Sequence, residues 1–348
     1  MFHWVRDGEM KPTWTVEQLH DLEDILVCID KADAAFDVSP LLSRRFLEPI
    51  LEIQYGRQRQ AYVASLVSPS SERPHVLAIL VPRRFGVWET LSAPQAPLGL
   101  VWEEQGFDWV PHMPGLLAQL PGVAMLAALL HQDMRTLPDD LGPCMNLKHH
   151  LTTGAIQVAG EFDDYWAERP AKYRRNISNR YNRLSRDGIE TRLDIVRAPA
   201  DMAAAVDDYG RMESAGWKGR ADTAVHPENA QGEMYRRIMH DFALDGEAIA
   251  FQYFLNDELA ATDLALSSRG QLIFLKTTYA ETLSAYSPSQ LMRREIFEWV
   301  FAEKLVDRIE FYGRVQDRHR ALCTDFWDIG HLNIYRLPLL MKLHQALR

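Results

Sequence analysis

The sequence predicts an α/β protein of two modules, the second a mixed, mainly antiparallel sheet flanked by helices and closed by a β-α-β crossover. Three observations lead there. At 348 residues the chain exceeds the usual span of one hydrophobic core, so two domains are expected. Three strand-like runs, Ala248 to Leu255, Leu259 to Leu266 and Leu272 to Tyr279, follow one another on the short turns Asn256-Asp257 and Ser268-Arg269-Gly270, which is the pattern of an antiparallel meander. A helical run bearing Leu291, Ile296, Trp299 and Val300 then leads into a short strand, Arg308 to Tyr312. Strand, crossover helix and strand in that order pair the two strands in parallel with a right-handed connection.

The first half is read element by element. Thr15 to Ile29 spaces Val16, Leu19, Leu22, Ile25, Leu26 and Ile29 for an amphipathic helix capped by Thr15, and Leu41 to Ile53 repeats the pattern. Ala61 to Val67 and Val76 to Val81 read as strands of a hairpin across the polar turn Ser68 to Pro74. Gly122 to Leu130 reads as an apolar core helix, far short of the roughly 20 residues a membrane span needs. A seam falls at Cys144 to Gly160, an extended connection or strand. Asp163 or Asp164 then opens a helix at Tyr165, with Pro170 early in it or between two short helices. Lys172 to Arg186 carries an apolar stripe of Ile177, Tyr181 and Leu184 and ends at Asp187-Gly188, a good helix stop. A strand, Glu190 to Val196, and a helix, Pro199 to Met212, precede the meander.

Composition narrows the function. Hydrophobic residues at 47% and charged residues at 25% are ordinary for a chain folded nearly end to end. A formal charge of -10 argues against coating DNA or an anionic membrane, since such binding draws on surplus Lys and Arg. Cys28, Cys144 and Cys323 show no CxxC spacing, and His149-His150 lacks metal-ligand spacing, so neither a disulfide framework nor a metal is signalled. The N-terminal MFHWVRDGEM has acids and no apolar core, so no signal peptide is expected and a reducing cytoplasm fits. No Gly-x-Ser-x-Gly elbow supports a covalent acyl-enzyme.

Four segments, in order, carry a resemblance: the basic helix KYRRNISNRYNRLSRDG, then ESAGWKGR, the turn AYSPSQLM, and the strand end FYGRVQDRHR. From Ile156 to Phe326 the chain resembles the GNAT superfamily, in particular the bacterial acetyltransferases of cellulose and exopolysaccharide biosynthesis, which are related to the Fem aminoacyltransferases. The resemblance implies tandem GNAT-like modules, with residues 1–150 a degenerate first copy and residues 151–348 the acyltransferase module. It also implies acetyl-CoA or another acyl-CoA as donor, and direct transfer to an amine or hydroxyl of a small-molecule, sugar or cell-envelope (peptide) acceptor. Fem-like use of an aminoacyl transfer RNA, and a non-catalytic role in polysaccharide assembly, are the competing readings.

The candidate residues follow. Ser287 as N-cap, Pro288 at N1 and Gln290 at N3 read as a capping box that fixes a helix start, where free N–H groups and the positive dipole end attract phosphate. In a GNAT enzyme that phosphate is coenzyme A's, so Ser287, Pro288, Ser289, Gln290 and Leu291 are the cofactor-binding set, with serines where the superfamily places glycines. Asp263 inside a strand needs a partner or a role. It is the first candidate for general base, with Glu213 the second. Trp217 and Lys218 match the family's Trp-Lys pair and would hold acceptor. Tyr279 and Tyr312 end the strands that splay in a GNAT sheet; they orient the thioester or protonate its thiolate, or they are core tyrosines. Arg180 and Arg183 of the basic helix, and Arg320 after the last strand, would meet an anionic substrate.

Overall fold

The computed structural model describes residues 11–36, 39–55, 60–69, 71, 73–93, 95–216 and 225–346. They form two units, one of residues 1–151 with 327–348 and one of residues 152–326. The first unit begins β1 (Thr13–Leu19), α1 (Leu22–Ala35), α2 (Arg44–Tyr55), β2 (Ala61–Val67), β3 (Val76–Pro82), β4 (Val87–Thr90), β5 (Val101–Glu103), α3 (Met113–Gln119), β6 (Leu126–Asp133) and β7 (Met145–Gln157). The second holds α4 (Phe162–Ala167), α5 (Ala171–Arg186), β8 (Thr191–Val196), α6 (Pro199–Ala215), α7 (Ala230–Ala243), β9 (Ala248–Leu255), β10 (Glu258–Ser268), β11 (Gln271–Tyr279), α8 (Pro288–Glu303), β12 (Arg308–Glu310) and α9 (Asp317–Arg320). The chain returns to the first unit in β13 (Asp325–Tyr335) and α10 (Pro338–Ala346).

Both units follow one plan. In the first, strands run β1-β2-β3-β4-β6-β13, all antiparallel except the parallel pair β4 and β6. In the second they run β8-β9-β10-β11-β12 and then the C-terminal part of β7, residues 152–157, all antiparallel except the parallel pair β11 and β12. Among the described residues each has two α-helices between its first and second strands and one crossover helix before its fifth, α3 and α8 respectively. Among the described residues no helix is long and apolar enough to cross a membrane.

Two stretches expected to be helical are strands instead. Val16 and Leu19 sit in β1, paired residue by residue with β2, and the true helix start lies downstream, where the Asp21 carboxylate accepts the Asp24 N–H at 2.9 Å ahead of an acidic first turn. Leu126 to Leu130 belongs to β6, held between β4 and β13. Its Ala- and Leu-rich composition favours helix by propensity, but two ladders of long-range hydrogen bonds decide the outcome.

In the second unit the meander is covered on both faces, which explains why β9 and β10 are buried almost throughout. Phe251, Asp263 and Thr277 stand opposite one another across β9, β10 and β11, so they share a face. That face carries α8, since Trp299 packs edge-on against Phe251 with centroids 5.8 Å apart. Gln252, Thr262 and Thr278 share the other face, which carries α6: Gln252 Nε2 donates to Asp208 at 2.9 Å.

On the α8 side Glu295 accepts from the hydroxyls of Tyr181 and Tyr253, each at 2.9 Å. Burial is the largest influence on Glu295 and pushes its carboxyl above the usual glutamate range, outweighing both hydrogen bonds. A raised folded-state pKa means that the folded chain holds this proton more tightly than the unfolded chain. Glu295 therefore contributes stability below the ordinary carboxyl range and loses it as pH rises through the raised value. Glu295→Gln keeps an acceptor without the charge. We expect it to raise the urea midpoint at about pH 7 and to leave it nearly unchanged at about pH 4; equal effects at both would contradict the assignment.

Candidate active site

β11 and β12 pair over only three residues, Gln271 to Ile273 against Arg308 to Glu310. β11 continues to Tyr279 without that partner, and an extra residue, Leu275, bulges it where Ala265 and Leu264 face Phe274 and Lys276. Parting strands leave a gap, and a cavity of about 280 Å³ lies there. It is lined from β11 by Thr277, Thr278 and Tyr279, and from α8 by Ser289, Gln290 and Arg293. Tyr173 of α5, Glu213 and Gly216 at the end of α6, Glu281, His319 and Leu322 complete it. Because Thr277 and Thr278 belong to opposite faces of the sheet, the cavity opens to both.

The α8 side is cationic. Ser287 precedes the helix at φ 54 and ψ 54, with no side-chain cap, so the expected capping box is not formed. The 3-10 turn Glu281–Tyr286 runs straight into Ser287, whose N–H donates to Ser284 O at 3.0 Å, and this closure forces the left-handed backbone. Pro288 has no N–H, and the N–H of Ser289, in the first helical turn, has no acceptor within the helix. The dipole end thus faces the cavity uncapped. One turn on, at i,i+4 from Ser289, Arg293 presents its guanidinium to the same space, beside the rings of Phe274 and Phe311 at 5.2 and 5.5 Å. Arg293 also lies 3.5 Å from the carboxylate of Asp263, which is fully buried.

The α6 side is anionic. Glu213 is 3% exposed; its Oε1 accepts from the Tyr209 hydroxyl at 2.6 Å and its Oε2 from the Val225 N–H at 2.7 Å. Those donors fix the rotamer of a carboxylate that borders the cavity. A second hollow of about 310 Å³ shares Gly216 and Glu281 with the first. The buried Cys323 thiol is pushed up to about 12, by burial first and Glu310 next, so it is no nucleophile at neutral pH.

Residues 171–336 match the model of the acetyltransferase (GNAT) domain family. The matched segment, a little under half of the chain, is a GNAT acetyltransferase domain. It is thereby an acyltransferase, and its fold recurs in solved structures. FemX superposes with a TM-score of 0.56 at 11% identity, over 94% of this chain and 99% of its own. The C-terminal domain of an Agrobacterium fabrum protein called a lysylphosphatidylglycerol synthetase gives 0.53 at 9%, over 92% and 94%. A conserved protein of unknown function from Bacteroides thetaiotaomicron gives 0.53 at 11%, over 89% and 97%. At such identities the likeness is one of fold. No curated protein sequence matches the chain significantly.

Within the GNAT domain, Glu213, Tyr279, Ser289 and Gln290 come together at the cavity. Asp263 does not line it; it stands behind Arg293. Ser287, Pro288, Leu291 and Tyr312 are not lining residues either, with Pro288 and Leu291 buried in the helix base. Arg183 donates to Ala285 O at 3.0 Å and lies over the Tyr286 ring, tying α5 to the turn before α8. Arg180 and Arg320 lie outside the cavity lining, Arg320 over Phe326. Trp217 and Lys218 fall outside the described residues. Sequence reasoning missed Arg293, Glu281, Tyr173 and His319. Arg293 had a signal, its i,i+4 spacing from Ser289 on a helix already singled out; the other three come from separate elements with no shared pattern.

Proposed function

We propose that the GNAT domain transfers an acyl group directly from an acyl-coenzyme A to an amine or hydroxyl of a small-molecule, sugar or cell-envelope acceptor. The observation that supports it most is a cavity running through a gap in the sheet, cationic on the α8 side and anionic on the α6 side. The uncapped start of α8 with Arg293 suits the phosphates of an anionic donor. The opposite carboxylates suit an acceptor that arrives with a proton to lose.

The chemistry then divides between the two sides. Glu213 takes a proton from the acceptor nitrogen or oxygen as that atom bonds to the thioester carbon. Tyr279, at the strand end, donates a proton to the sulfur as the carbon–sulfur bond breaks. Asp263 orients the Arg293 guanidinium from behind and touches neither reactant. The first copy of the strand plan, residues 1–150, is read as the degenerate partner of this domain, residues 151–348. We propose for the protein a role among the acetyltransferases of exopolysaccharide assembly, in a bacterial cytoplasm.

Aminoacyl transfer RNA is the second donor reading, favoured by the Arg-rich α5, whose Tyr173 reaches the cavity. Thermal unfolding with acetyl-CoA separates the two. We expect coenzyme A to raise the Tm, and Ser289→Glu to abolish the shift by setting a negative charge against the phosphates. No shift with acetyl-CoA or longer acyl-CoAs, together with salt-sensitive retention of transfer RNA, would move the assignment to the second reading.

A further inference from the structure

The first unit holds a side-chain cluster that plays no part in acyl transfer. His131 lies in β6, His331 in β13 and His150 in β7, three strands that are neighbours in the order β6-β13-β7. Each imidazole offers one nitrogen, and these three nitrogens lie within 4.8 Å of one another.

Three side chains on consecutive strands ordinarily stand in a row, with the outer two about 9–10 Å apart. Here the ring centroids form a nearly equilateral triangle: 4.8 Å between His131 and His150, 5.1 Å between His131 and His331, and 4.8 Å between His150 and His331. The outer rings therefore lean toward each other over the middle one.

A backbone irregularity produces the convergence. Gly330 pairs with Gln132 and Leu332 with Leu129, so His331 alone faces both Leu130 and His131, and β6 bulges by one residue. His131 takes φ 51, the left-handed conformation that a bulge usually gives to glycine. A side chain there costs about 1–2 kcal/mol of backbone strain. The residue that bears this strain is an imidazole whose Nδ1 is buried without a hydrogen-bond partner. Strain and an unpaired buried polar atom at one position point to a ligand that the position serves.

We infer that His131, His150 and His331 form a zinc site that ties β6, β7 and β13 together in the first unit. Three imidazoles with no thiolate or carboxylate in the set suit zinc, with water in the fourth place. At about 2.0–2.1 Å from each nitrogen, a tetrahedral ion sets its ligands about 3.3 Å apart, within reach by small side-chain rotations. His331 Nδ1 accepts the His131 N–H at 3.1 Å, a bond that helps to fix the orientation of its ring. His150 is exposed, so the ion has a route in. The neighbouring His149 faces the other way, its Nε2 3.2 Å from Asp328. No local spacing in the sequence signals such a site, because the ligands come from three distant strands.

The test uses the full chain, stripped with chelator and titrated with Zn²⁺ by calorimetry, with Co²⁺ as a spectroscopic probe. One ion per chain and the visible bands of tetrahedral cobalt are expected. His131→Gly suits the left-handed backbone, so fold and urea midpoint should hold while zinc affinity falls by at least about 100-fold, more than the loss of a merely supporting residue causes. His150→Ala should lose the ion equally, and His149→Ala should keep it. No uptake by the parent chain, uptake unchanged in His131→Gly, or loss in His149→Ala would each overturn the assignment. None of these readouts depends on the acyl-transfer reading.

Discussion

Arg293→Met is expected to destabilise the protein by about 3–5 kcal/mol, because it withdraws the guanidinium from a carboxylate that is completely buried. The double variant Asp263→Asn with Arg293→Met should be less costly than the sum of its parts, by more than about 1 kcal/mol, since neither charge of the pair is then left in the interior. Urea unfolding of the parent, both single variants and the double variant measures this. Strictly additive losses would show that the two groups do not act as a pair. Arg293 is also the cation that the cavity shares with the start of α8, so Arg293→Met should abolish the coenzyme A shift in Tm, whereas Arg293→Lys should retain part of it.

The second large effect is expected at Glu213, where two substitutions separate structure from chemistry. Glu213→Ala leaves the Val225 N–H and the Tyr209 hydroxyl without their buried acceptor, at a cost of about 2–5 kcal/mol. Glu213→Gln can offer its carbonyl to Val225 and turn its amide toward the Tyr209 oxygen, so its stability should stay within about 1 kcal/mol of the parent. It has no basic carboxylate, and thiol release from acetyl-CoA with a responsive acceptor from an amine and sugar panel should fall about 100- to 10,000-fold. A stable Glu213→Gln with parental turnover would remove Glu213 from the role of base and leave Glu281 as the carboxylate to examine.

The second half of the fold was legible because its signals are local. The turns at Asn256-Asp257 and Ser268-Arg269-Gly270, the basic helix ending at Asp187-Gly188, and Pro288 at a helix start each act through neighbours in sequence, and all are found where expected. The first half misled where the same local logic competed with distant partners. Val16 and Leu19 fit a helix that begins at Leu22, and only the ladder to β2 makes them a strand.

The candidate site divides along the same line. Ser289, Gln290, Glu213 and Tyr279 were identifiable because each stands at an element end that the motifs mark. The capping box at Ser287 was misjudged because side-chain spacing carries no information about the 3-10 turn that imposes a left-handed backbone there. Asp263 was rightly expected to need a partner, yet Arg293 is thirty positions away and only the packing of α8 on β10 brings them together. The histidine triangle lies beyond any local reading, since a bulge in one strand and the return of the chain's last strand assemble it.

By itself the sequence determined the order of the meander and crossover and the residue types available at the helix start, since hydrophobic period and turn chemistry act over a few residues. Tertiary structure alone decided which face each carboxylate occupies, that Asp263 supports Arg293 while Glu213 borders the cavity, and that the parallel strands part after three residues. Those outcomes depend on strand register and helix packing, where a shift of one residue turns every side chain to the opposite face.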